Sequence, residues 1–455
     1  MGTFPEVTSD VLARYDVPGP RYTSYPTVPE WTGTFGAAEL AGKLGEAATQ
    51  GSASPLSLYF HIPFCREMCT YCGCNVVIAH DDRGRADPYL ARLAREIEMV
   101  AELLGERRSF CQLHLGGGTP TFLDLSQLEA LWSAISSRFC AAPGAELAVE
   151  VDPVVTTPDQ LALLSRFGWN RLSMGVQDFE PEVQRAVNRI QTPEQTRALL
   201  VAARELGYRG INFDLIYGLP LQTPQGWQRT LDEVVAMRPD RVAVYSFAYL
   251  PDLRPHQKRI EPDRVPRGLE KLGLFRLAYE AFVGAGYRPI GMDHFALPDD
   301  ELARAQEQRV LRRNFQGYTV LPATDVIAFG ITGISDVQGA YAQNVRPLSR
   351  YYEAVDAGKF ATERGILLTE DDRRRRDVIT QIMCNFWIDL GDEGQRLYSR
   401  ELEELRQLES QGLVRIAGSE IELTPIGRVF VRNVAMVFDA RLRASEKQRR
   451  FSQTV

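Results

Sequence analysis

The chain has 455 residues, of which 44% are hydrophobic and 24% are charged, so it can bury a full core in two or three domains. Its net charge of −7 gives no electrostatic footprint for nucleic acid, and no DNA or RNA partner is expected. No apolar run reaches membrane-spanning length, and residues 1–19 lack the basic and apolar pattern of a signal peptide. We expect a cytoplasmic protein that is monomeric and has no membrane contact.

Residues 1–50 form the first predicted unit. The run GPRYTSYPT at 19–27 is rich in turn formers and aromatic residues and shows no helical period. We therefore predict an irregular segment that is draped over the rest of the chain.

The second predicted unit, residues 51–365, alternates short apolar runs with amphipathic stretches. The predicted strands are 57–62, 112–115, 147–151, 171–176, 211–219 and 241–249, and predicted helices between them include 87–104, 126–139, 192–207 and 223–239. This alternation predicts an α/β fold of βαβ units with a parallel sheet. Six units favour a partial (βα)6 barrel, and the pattern leaves an open doubly wound sheet as the alternative.

Chemically unusual residues lie at the end of each predicted strand. They are a cysteine run after the first, residues 116–120 (GGGTP) after the second, Glu150 and Asp152 at the third, Gln177 and Asp178 at the fourth, Asp214 within the fifth, and Tyr245 and Tyr249 at the sixth. Barrels of this kind build their active site from the carboxyl ends of the strands, so we expect one shared site. A carboxylate in a buried strand needs a partner, which makes Glu150 and Asp214 either ion-pair partners or ligand contacts.

The cysteine run holds Cys65, Cys69, Cys72 and Cys74 within ten residues. Thiolates this close in one loop can share a metal centre, and iron–sulfur clusters take three or four of them. A structural zinc site usually shows paired knuckles a dozen or more residues apart, which makes zinc the weaker alternative. A disulfide framework is typical of small secreted domains and does not fit a chain of this length.

The third predicted unit, residues 366–455, is smaller and mostly helical. The pattern predicts helices over 369–390, 400–413 and 426–441 with a hairpin over 413–424, an order that is winged-helix-like. Because the chain is acidic, we interpret this unit as a packing domain or lid. The arginine run at residues 373–376 is expected to be a solvated helix face.

The spacing C-x-x-x-C-x-x-C resembles the signature of the radical S-adenosylmethionine (radical SAM) enzymes. The runs LYFHIPFCREMCTYCGCN, HLGGGTPTF, RLSMGVQDF, DLIYGLP, GMDHFA, RNFQGYT and GISDVQGAYAQN are similar to those of one radical SAM family. That family is the oxygen-independent coproporphyrinogen III oxidases, also called coproporphyrinogen dehydrogenases. GPRYTSYPT and RNVAMVFDA match it as well, so the resemblance spans nearly the whole chain.

The resemblance implies the oxidative decarboxylation of two propionates of coproporphyrinogen III to vinyl groups, which gives protoporphyrinogen IX for haem biosynthesis. It implies one [4Fe-4S] cluster that generates a 5′-deoxyadenosyl radical from S-adenosylmethionine, with two S-adenosylmethionine molecules bound. An electron donor and an electron acceptor are also implied, and the sequence identifies neither. The alternative is a related haem chaperone, which binds haem without decarboxylation and typically lacks the fourth cysteine and the RYTSYPT segment that are present here.

The resemblance also implies roles for individual residues. Cys65, Cys69 and Cys72 would be the cluster ligands, and Cys74 a nearby thiol that is functional or a resting-state ligand. His61 would be a catalytic proton or hydrogen-bond partner, or else a structural histidine. Tyr71 would contact the adenine or pack over the cluster. Arg21 and Arg313 are candidates to receive substrate carboxylates because of their charge. The implied cofactor-binding residues are Tyr59, Tyr71, Gly117, Gly118, Thr119, Glu150, Gln177, Arg189, Asp214, Ala248 and Ile334.

Overall fold

The computed structural model describes residues 3–51, 53–321, 325–444 and 451–454. Two helices lie near the N-terminus, α1 (Ser9–Tyr15) and α2 (Ala37–Ala48). The expectation of an irregular segment is wrong for both helices, whereas the GPRYTSYPT run between them contains no α-helix. The helical period of α2 lies in Leu40, Leu44 and Ala47, which are buried at the spacing of one helix face.

The middle of the chain alternates strands and helices. The elements are β1 (Leu56–Ile62), β2 (Phe64–Cys65), β3 (Val77–Ile78), α3 (Asp87–Leu104), β4 (Ser109–Gly117), α4 (Leu125–Ser136), β5 (Cys140–Val151), α5 (Pro158–Arg166), β6 (Arg171–Gln177), α6 (Pro181–Val187), α7 (Pro193–Glu205), β7 (Ile211–Tyr217), α8 (Pro224–Met237), β8 (Arg241–Ser246), α9 (Gly268–Gly284), β9 (Arg288–Ile290), β10 (His294–Ala296), α10 (Glu301–Glu307), β11 (Arg312–Arg313), β12 (Tyr318–Thr319), β13 (Asp325–Phe329), β14 (Ile334–Val337), β15 (Ala340–Asn344), α11 (Leu348–Asp356) and β16 (Thr362–Leu367).

One twelve-stranded sheet organises this part of the chain, in the order β16-β15-β14-β13-β1-β4-β5-β6-β7-β8-β10-β9. The strands from β1 to β8 in this order are parallel and correspond to the six predicted strands, which confirms the α/β prediction. β13 adds a parallel neighbour to β1, and the strands beyond it and beyond β8 pair antiparallel. The end strands β16 and β9 are not neighbours, so the barrel is partial.

The two faces of the sheet differ in chemistry, and this difference favours the barrel over a doubly wound sheet. In β7, Ile211, Phe213 and Leu215 are fully buried, whereas Asn212 and Asp214 face a polar cavity inside the curved sheet. A doubly wound sheet would be apolar on both faces because helices cover each of them. The polar face therefore lines a lumen that leads to the carboxyl ends of the strands.

The C-terminal part contains α12 (Glu370–Asn385), β17 (Trp387–Asp389), α13 (Gly391–Leu397), α14 (Ser399–Ser410), β18 (Val414–Ala417), β19 (Glu420–Leu423), α15 (Pro425–Val429), α16 (Val431–Met436) and α17 (Ala440–Ala444). The first predicted helix ends five residues early because Phe386 is left-handed and β17 pairs with the predicted hairpin. The predicted helix over 426–441 is divided into shorter pieces, the first of which ends at Val429. The winged-helix-like character stays a prediction. Across the described ranges, no helix has the length and apolar character needed to cross a membrane.

A buried ion pair fastens the N-terminal unit to the sheet. Arg107 and Asp325 are at most 1% exposed, and Arg107 also donates to the carbonyl oxygens of Ala47 and Ser54. Asp325 at the start of β13 accepts two further hydrogen bonds from Gln338. Removing one partner of such a pair leaves a buried charge without compensation.

Asp325→Ala is expected to lower the free energy of unfolding by about 3–5 kcal/mol, because Arg107 would lose its buried counter-ion. Asp356→Ala, which breaks an exposed pair with Arg92, is the matched control and should cost less than about 1 kcal/mol. Urea and thermal unfolding of the full chain, followed by circular dichroism, measure both. Equal effects of the two substitutions would contradict the role of the buried pair.

Candidate active site

The cysteine loop leaves the sheet directly after β1. The short strands β2 and β3 pair in parallel and close the loop at its base, where Ala79 donates to the Cys65 carbonyl oxygen over 2.9 Å. Thr70 donates its backbone N–H to the Val187 carbonyl oxygen at the end of α6. His256 contacts the Cys72 carbonyl oxygen at 2.8 Å from the other side. The loop is therefore fixed at its base and at two points along its length.

None of the four cysteines of the loop forms a disulfide bond, and all four line one cavity of about 690 Å³. Burial raises the pKa of Cys65 to about 12 and raises that of Cys69 as well. A hydrogen bond with Cys74 lowers the pKa of Cys72 to about 7. Cys74 is exposed to the cavity, and its backbone N–H lies 3.4 Å from the sulfur of Cys72.

The glycine turn after β4 packs against the start of the cysteine loop. A Cβ on Gly117 would lie 2.7 Å from the His61 ring, and one on Gly118 would lie 2.7 Å from the Pro63 carbonyl group. The N–H groups of Gly118 and Thr119 donate to the carbonyl oxygens of Ile62 and Phe64. Gly118 is required because its backbone lies against that of Pro63, and Gly117 because its backbone lies against the His61 ring with a φ of 115°.

A chain of side chains, linked by hydrogen bonds and by one ring-stacking contact, runs beside this contact. His61 Nε2 lies 3.0 Å from the Asn75 carbonyl oxygen, which can only accept, so Nε2 carries the proton. His61 Nδ1 then accepts from the Tyr59 hydroxyl at 3.1 Å. Tyr59 stacks on His114, whose Nε2 donates to Glu150 at 3.0 Å. Both His61 nitrogens are thus engaged by the protein and burial lowers its pKa, so His61 is neutral and oriented.

Glu150 and Asp214 both face the cavity, and their pKa values are shifted in opposite directions. Burial disfavours the charge of Glu150, yet hydrogen bonds from His114 and from the Gly117 N–H hold its pKa below the usual value. Burial raises the pKa of Asp214 to about 6, and hydrogen bonds from Ser173 and Asn212 offset part of the effect. The site therefore holds one ionised carboxylate and one that titrates near neutrality.

Arg189 crosses the cavity wall between Asp152 and the cysteines. It donates to Asp152 at 2.6 Å and to the Gly175 carbonyl oxygen at 2.8 Å, while its Nε is buried without a hydrogen-bond partner in the described residues. Gln177 has a left-handed backbone (φ 65°), and a Cβ on Gly175 would lie 2.9 Å from its amide nitrogen. Strained backbone of this kind gathers at ligand sites.

The structure brings most of the predicted site residues together. The cavity is lined by the four cysteines and by Tyr71, Gly117, Gly118, Thr119, Glu150, Gln177, Arg189, Asp214 and Ala248. Tyr59 lies outside it and is linked to it through His114, and Ile334 at the start of β14 packs with Trp31 and Tyr341.

Arg21 and Arg313, the candidate substrate residues, lie side by side. Arg313 donates to the Arg21 carbonyl oxygen at 3.1 Å. Arg21 pairs with Asp293 and lies over the ring of Tyr245, which also lines the cysteine cavity. Burial opposes the charge of Asp293, yet Arg21 and His294 hold its pKa well below the usual range. The N-terminal run therefore reaches the barrel mouth.

Sequence patterns did not single out His114, His256 or Asp293, although each contacts a site residue. The signal for His114 was its place on the strand that precedes the glycine turn, two residues before Gly116. The contacts of His256 and Asp293 join positions far apart along the chain, and no local pattern reveals them.

Comparison with known proteins matches residues 59–234 to the model of the radical SAM superfamily. The oxygen-independent coproporphyrinogen III oxidase of Pseudomonas aeruginosa is 44% identical over 98% of both chains, and that of Escherichia coli K12 is 42% identical over 98% of both. The solved structure of coproporphyrinogen III oxidase (HemN) from Escherichia coli, described as a radical SAM enzyme, superposes with a TM-score of 0.88 at 43% identity. It covers 92% of this chain and 97% of its own. The chain belongs to the oxygen-independent coproporphyrinogen III oxidase family.

The donor set of the site fits the cofactors of this family. Three thiols on one loop are the ligands that an iron–sulfur cluster takes, and they share an open cavity with room for a further ligand. In the described ranges no three His, Cys, Asp or Glu side chains lie close enough together to hold one metal ion, whereas a cluster spreads its cysteine ligands over several irons. The unpartnered Nε of Arg189 and the carboxylate of Glu150 are suited to the charged ends of an amino acid.

Serine at Cys65, Cys69 or Cys72 is expected to prevent stable assembly of the cluster, because a thiolate ligand is lost. Cys74→Ala should keep about four irons per chain, since three thiolates suffice, and should lose turnover. Cys140→Ala, at an exposed lone thiol, is the control and should change neither property. Iron and sulfide content after anaerobic reconstitution, with electron paramagnetic resonance, measures cluster assembly, and product formation measures turnover. Loss of iron from the Cys74→Ala protein would show that Cys74 is a cluster ligand and would contradict the prediction.

Gly118→Ala is expected to lower the free energy of unfolding by about 1–3 kcal/mol and to impair cluster assembly, because its Cβ meets the Pro63 backbone. The matched control is Gly273→Ala in α9, where no atom lies within 4 Å of the new Cβ. That substitution should stabilise the protein by roughly 0.5–1 kcal/mol. Thermal unfolding and iron content distinguish the two, and an unchanged Gly118→Ala protein would refute the close contact.

Proposed function

We propose that the protein converts two propionates of coproporphyrinogen III to vinyl groups and yields protoporphyrinogen IX without oxygen. The observation that carries this proposal is the convergence of Cys65, Cys69 and Cys72 with Arg189 and Asp214 on one cavity at the carboxyl ends of parallel strands. Family membership over nearly the whole chain supports the same activity. Haem transfer as a chaperone is the weaker alternative.

Cys65, Cys69 and Cys72 would hold a [4Fe-4S] cluster beside S-adenosylmethionine. The chemistry that these cofactors supply is a one-electron cleavage of S-adenosylmethionine, which yields the radical that takes a hydrogen atom from the substrate. Arg189 would bind the carboxylate of the methionyl group, Glu150 and the glycine turn its ammonium group, and Tyr71 the adenine. The buried His61 and the half-buried Tyr59 beside it would keep this part of the site dry and shaped.

We infer two S-adenosylmethionine molecules because the family resemblance implies that number, and the residues it assigns to the cofactor fall in more than one place. Nine of the cofactor residues line the cysteine cavity, whereas Tyr59 and Ile334 lie outside it. A second S-adenosylmethionine molecule that binds near Ile334 would explain why Ile334 lies outside the cysteine cavity. Equilibrium dialysis with labelled S-adenosylmethionine counts the molecules bound to the reconstituted protein.

The substrate carries four carboxylates, and the paired cations Arg21 and Arg313 would receive some of them at the barrel mouth. This assigns residues 1–50 to the substrate side of the site, residues 51–365 to catalysis and residues 366–455 to a smaller packing unit. We further expect a cytoplasmic monomer without nucleic-acid or membrane partners. It would receive electrons from one carrier and pass them to another, both still to be identified.

The activity is tested with protein reconstituted anaerobically and supplied with reductant, S-adenosylmethionine and coproporphyrinogen III. Formation of 5′-deoxyadenosine together with vinyl product is expected, and Cys69→Ser should abolish both because the cluster is lost. Chromatography and mass spectrometry quantify the products. A fully loaded protein that forms neither compound would falsify the oxidase proposal, and stoichiometric haem uptake without turnover would favour the chaperone.

A further inference from the structure

A second cavity, of about 600 Å³, lies between the N-terminal run, the β11–β12 hairpin and α12. It adjoins the barrel lumen, because Gln112, Asn314, Gln316 and Thr319 line both. The lumen adjoins the cysteine cavity through Glu150, Ser173, Asp214 and Tyr245. Three spaces thus follow one another from α12 to the cysteines.

The sizes of the three spaces limit what each can hold. The lumen measures about 150 Å³, the volume of about five water molecules, which suits one short side arm. The α12 cavity falls in the range of about 300–1,000 Å³ that small-molecule sites occupy. The α12 cavity therefore has the volume of a small-molecule site, and the lumen beside it has room for one short side arm.

Two guanidinium groups from different units face the α12 cavity. Arg313 makes a hydrogen bond to the Arg21 carbonyl oxygen and lies over the Tyr318 ring, and its Nε is buried without a partner in the described residues. Arg376 of α12 makes long contacts to Asp336, at 3.2 and 3.4 Å, and to the Tyr341 hydroxyl, at 3.4 Å. Both groups retain donors for an anionic ligand.

The arginine run at residues 373–376 is not the uniform solvated face that its pattern predicts. Arg374 pairs with Glu370 on the exposed side of α12, whereas Arg375 turns toward Glu401 within the C-terminal unit. Arg376 is 30% exposed and lines the cavity. Arg374 and Arg376 therefore differ in partner and surroundings although they lie two positions apart on the same helix. They form a matched pair for experiment.

We propose that Arg313 and Arg376 bind the two carboxylates of the substrate that the reaction leaves intact. This inference rests on the proposed function, because that reaction consumes two of four propionates and retains two. The macrocycle would occupy the α12 cavity, and the reacting propionate would extend through the lumen toward Asp214 and the cysteine cavity. Arg376, in the C-terminal unit, is thereby a substrate-binding residue.

The test is equilibrium binding of three stable porphyrins to the full-length protein carrying its cluster, measured anaerobically by dialysis and absorbance. Coproporphyrin III presents four carboxylates, protoporphyrin IX presents the two retained ones, and the tetramethyl ester of coproporphyrin III presents none. Arg376→Ala is expected to weaken binding of the first two about tenfold each and to leave the ester unchanged, since a charge-assisted hydrogen bond is lost. Arg374→Ala should change none of the three.

Other outcomes overturn the proposal in distinct ways. Weaker binding of coproporphyrin III alone would place Arg376 at a reacting propionate, and equal weakening of all three ligands would show a structural role. Unchanged binding of all three would remove Arg376 from the substrate site. Arg376→Lys keeps the charge and should restore part of the affinity, while the thermal midpoint checks folding. None of these readouts requires turnover, so the proposed activity fails or stands separately in the product assay.

Discussion

The close contact between the glycine turn and the residues that precede the cysteines is the constraint on which the site depends. Gly117 and Gly118 have no Cβ, so the end of β4 lies against His61 and Pro63 and pairs with the chain on both sides of Pro63. That contact sets where the cysteine loop leaves the sheet. It also presents the Gly117 N–H to Glu150, so the loop and the ionised carboxylate are positioned by the same backbone segment.

The two carboxylates of the lumen, Glu150 and Asp214, have different pKa values because their surroundings differ. Glu150 accepts from a histidine and a backbone N–H, and these hydrogen bonds outweigh its desolvation. Asp214 has a hydroxyl and an amide as partners, and for it desolvation prevails. Glu150 therefore stays ionised where Asp214, with a pKa of about 6, takes up a proton, so the two carboxylates that line the cavity need not carry the same charge.

The hydrophobic periodicity of the sequence was enough to predict the parallel strands, but it could not predict contacts between segments far apart along the chain. Each of the six strands carries its own apolar pattern, as Ile211, Phe213 and Leu215 do in β7, and such patterns are local. The strand-end rule then placed Glu150 and Asp214 in one site. Asp293 could not be assigned from the sequence, because its role depends on Arg21, 272 positions away. Arg376 was misread for a related reason: its surroundings come from β14 and β15, whereas the helix pattern records α12 alone.

The N- and C-terminal units meet each other through one further arginine. Arg432 of α16 is 4% exposed, and its guanidinium donates to the carbonyl oxygens of Pro20 and Gln453. Burial, and then repulsion from Arg21, lowers the pKa of Arg432 to about 9, so this cation is held by carbonyl dipoles. Because Arg21 directly follows Pro20, the C-terminal unit fixes the residue that pairs with Asp293 at the barrel mouth. The C-terminal unit therefore contributes to the site by two routes, through Arg376 in the cavity wall and through Arg432 in the support of Arg21.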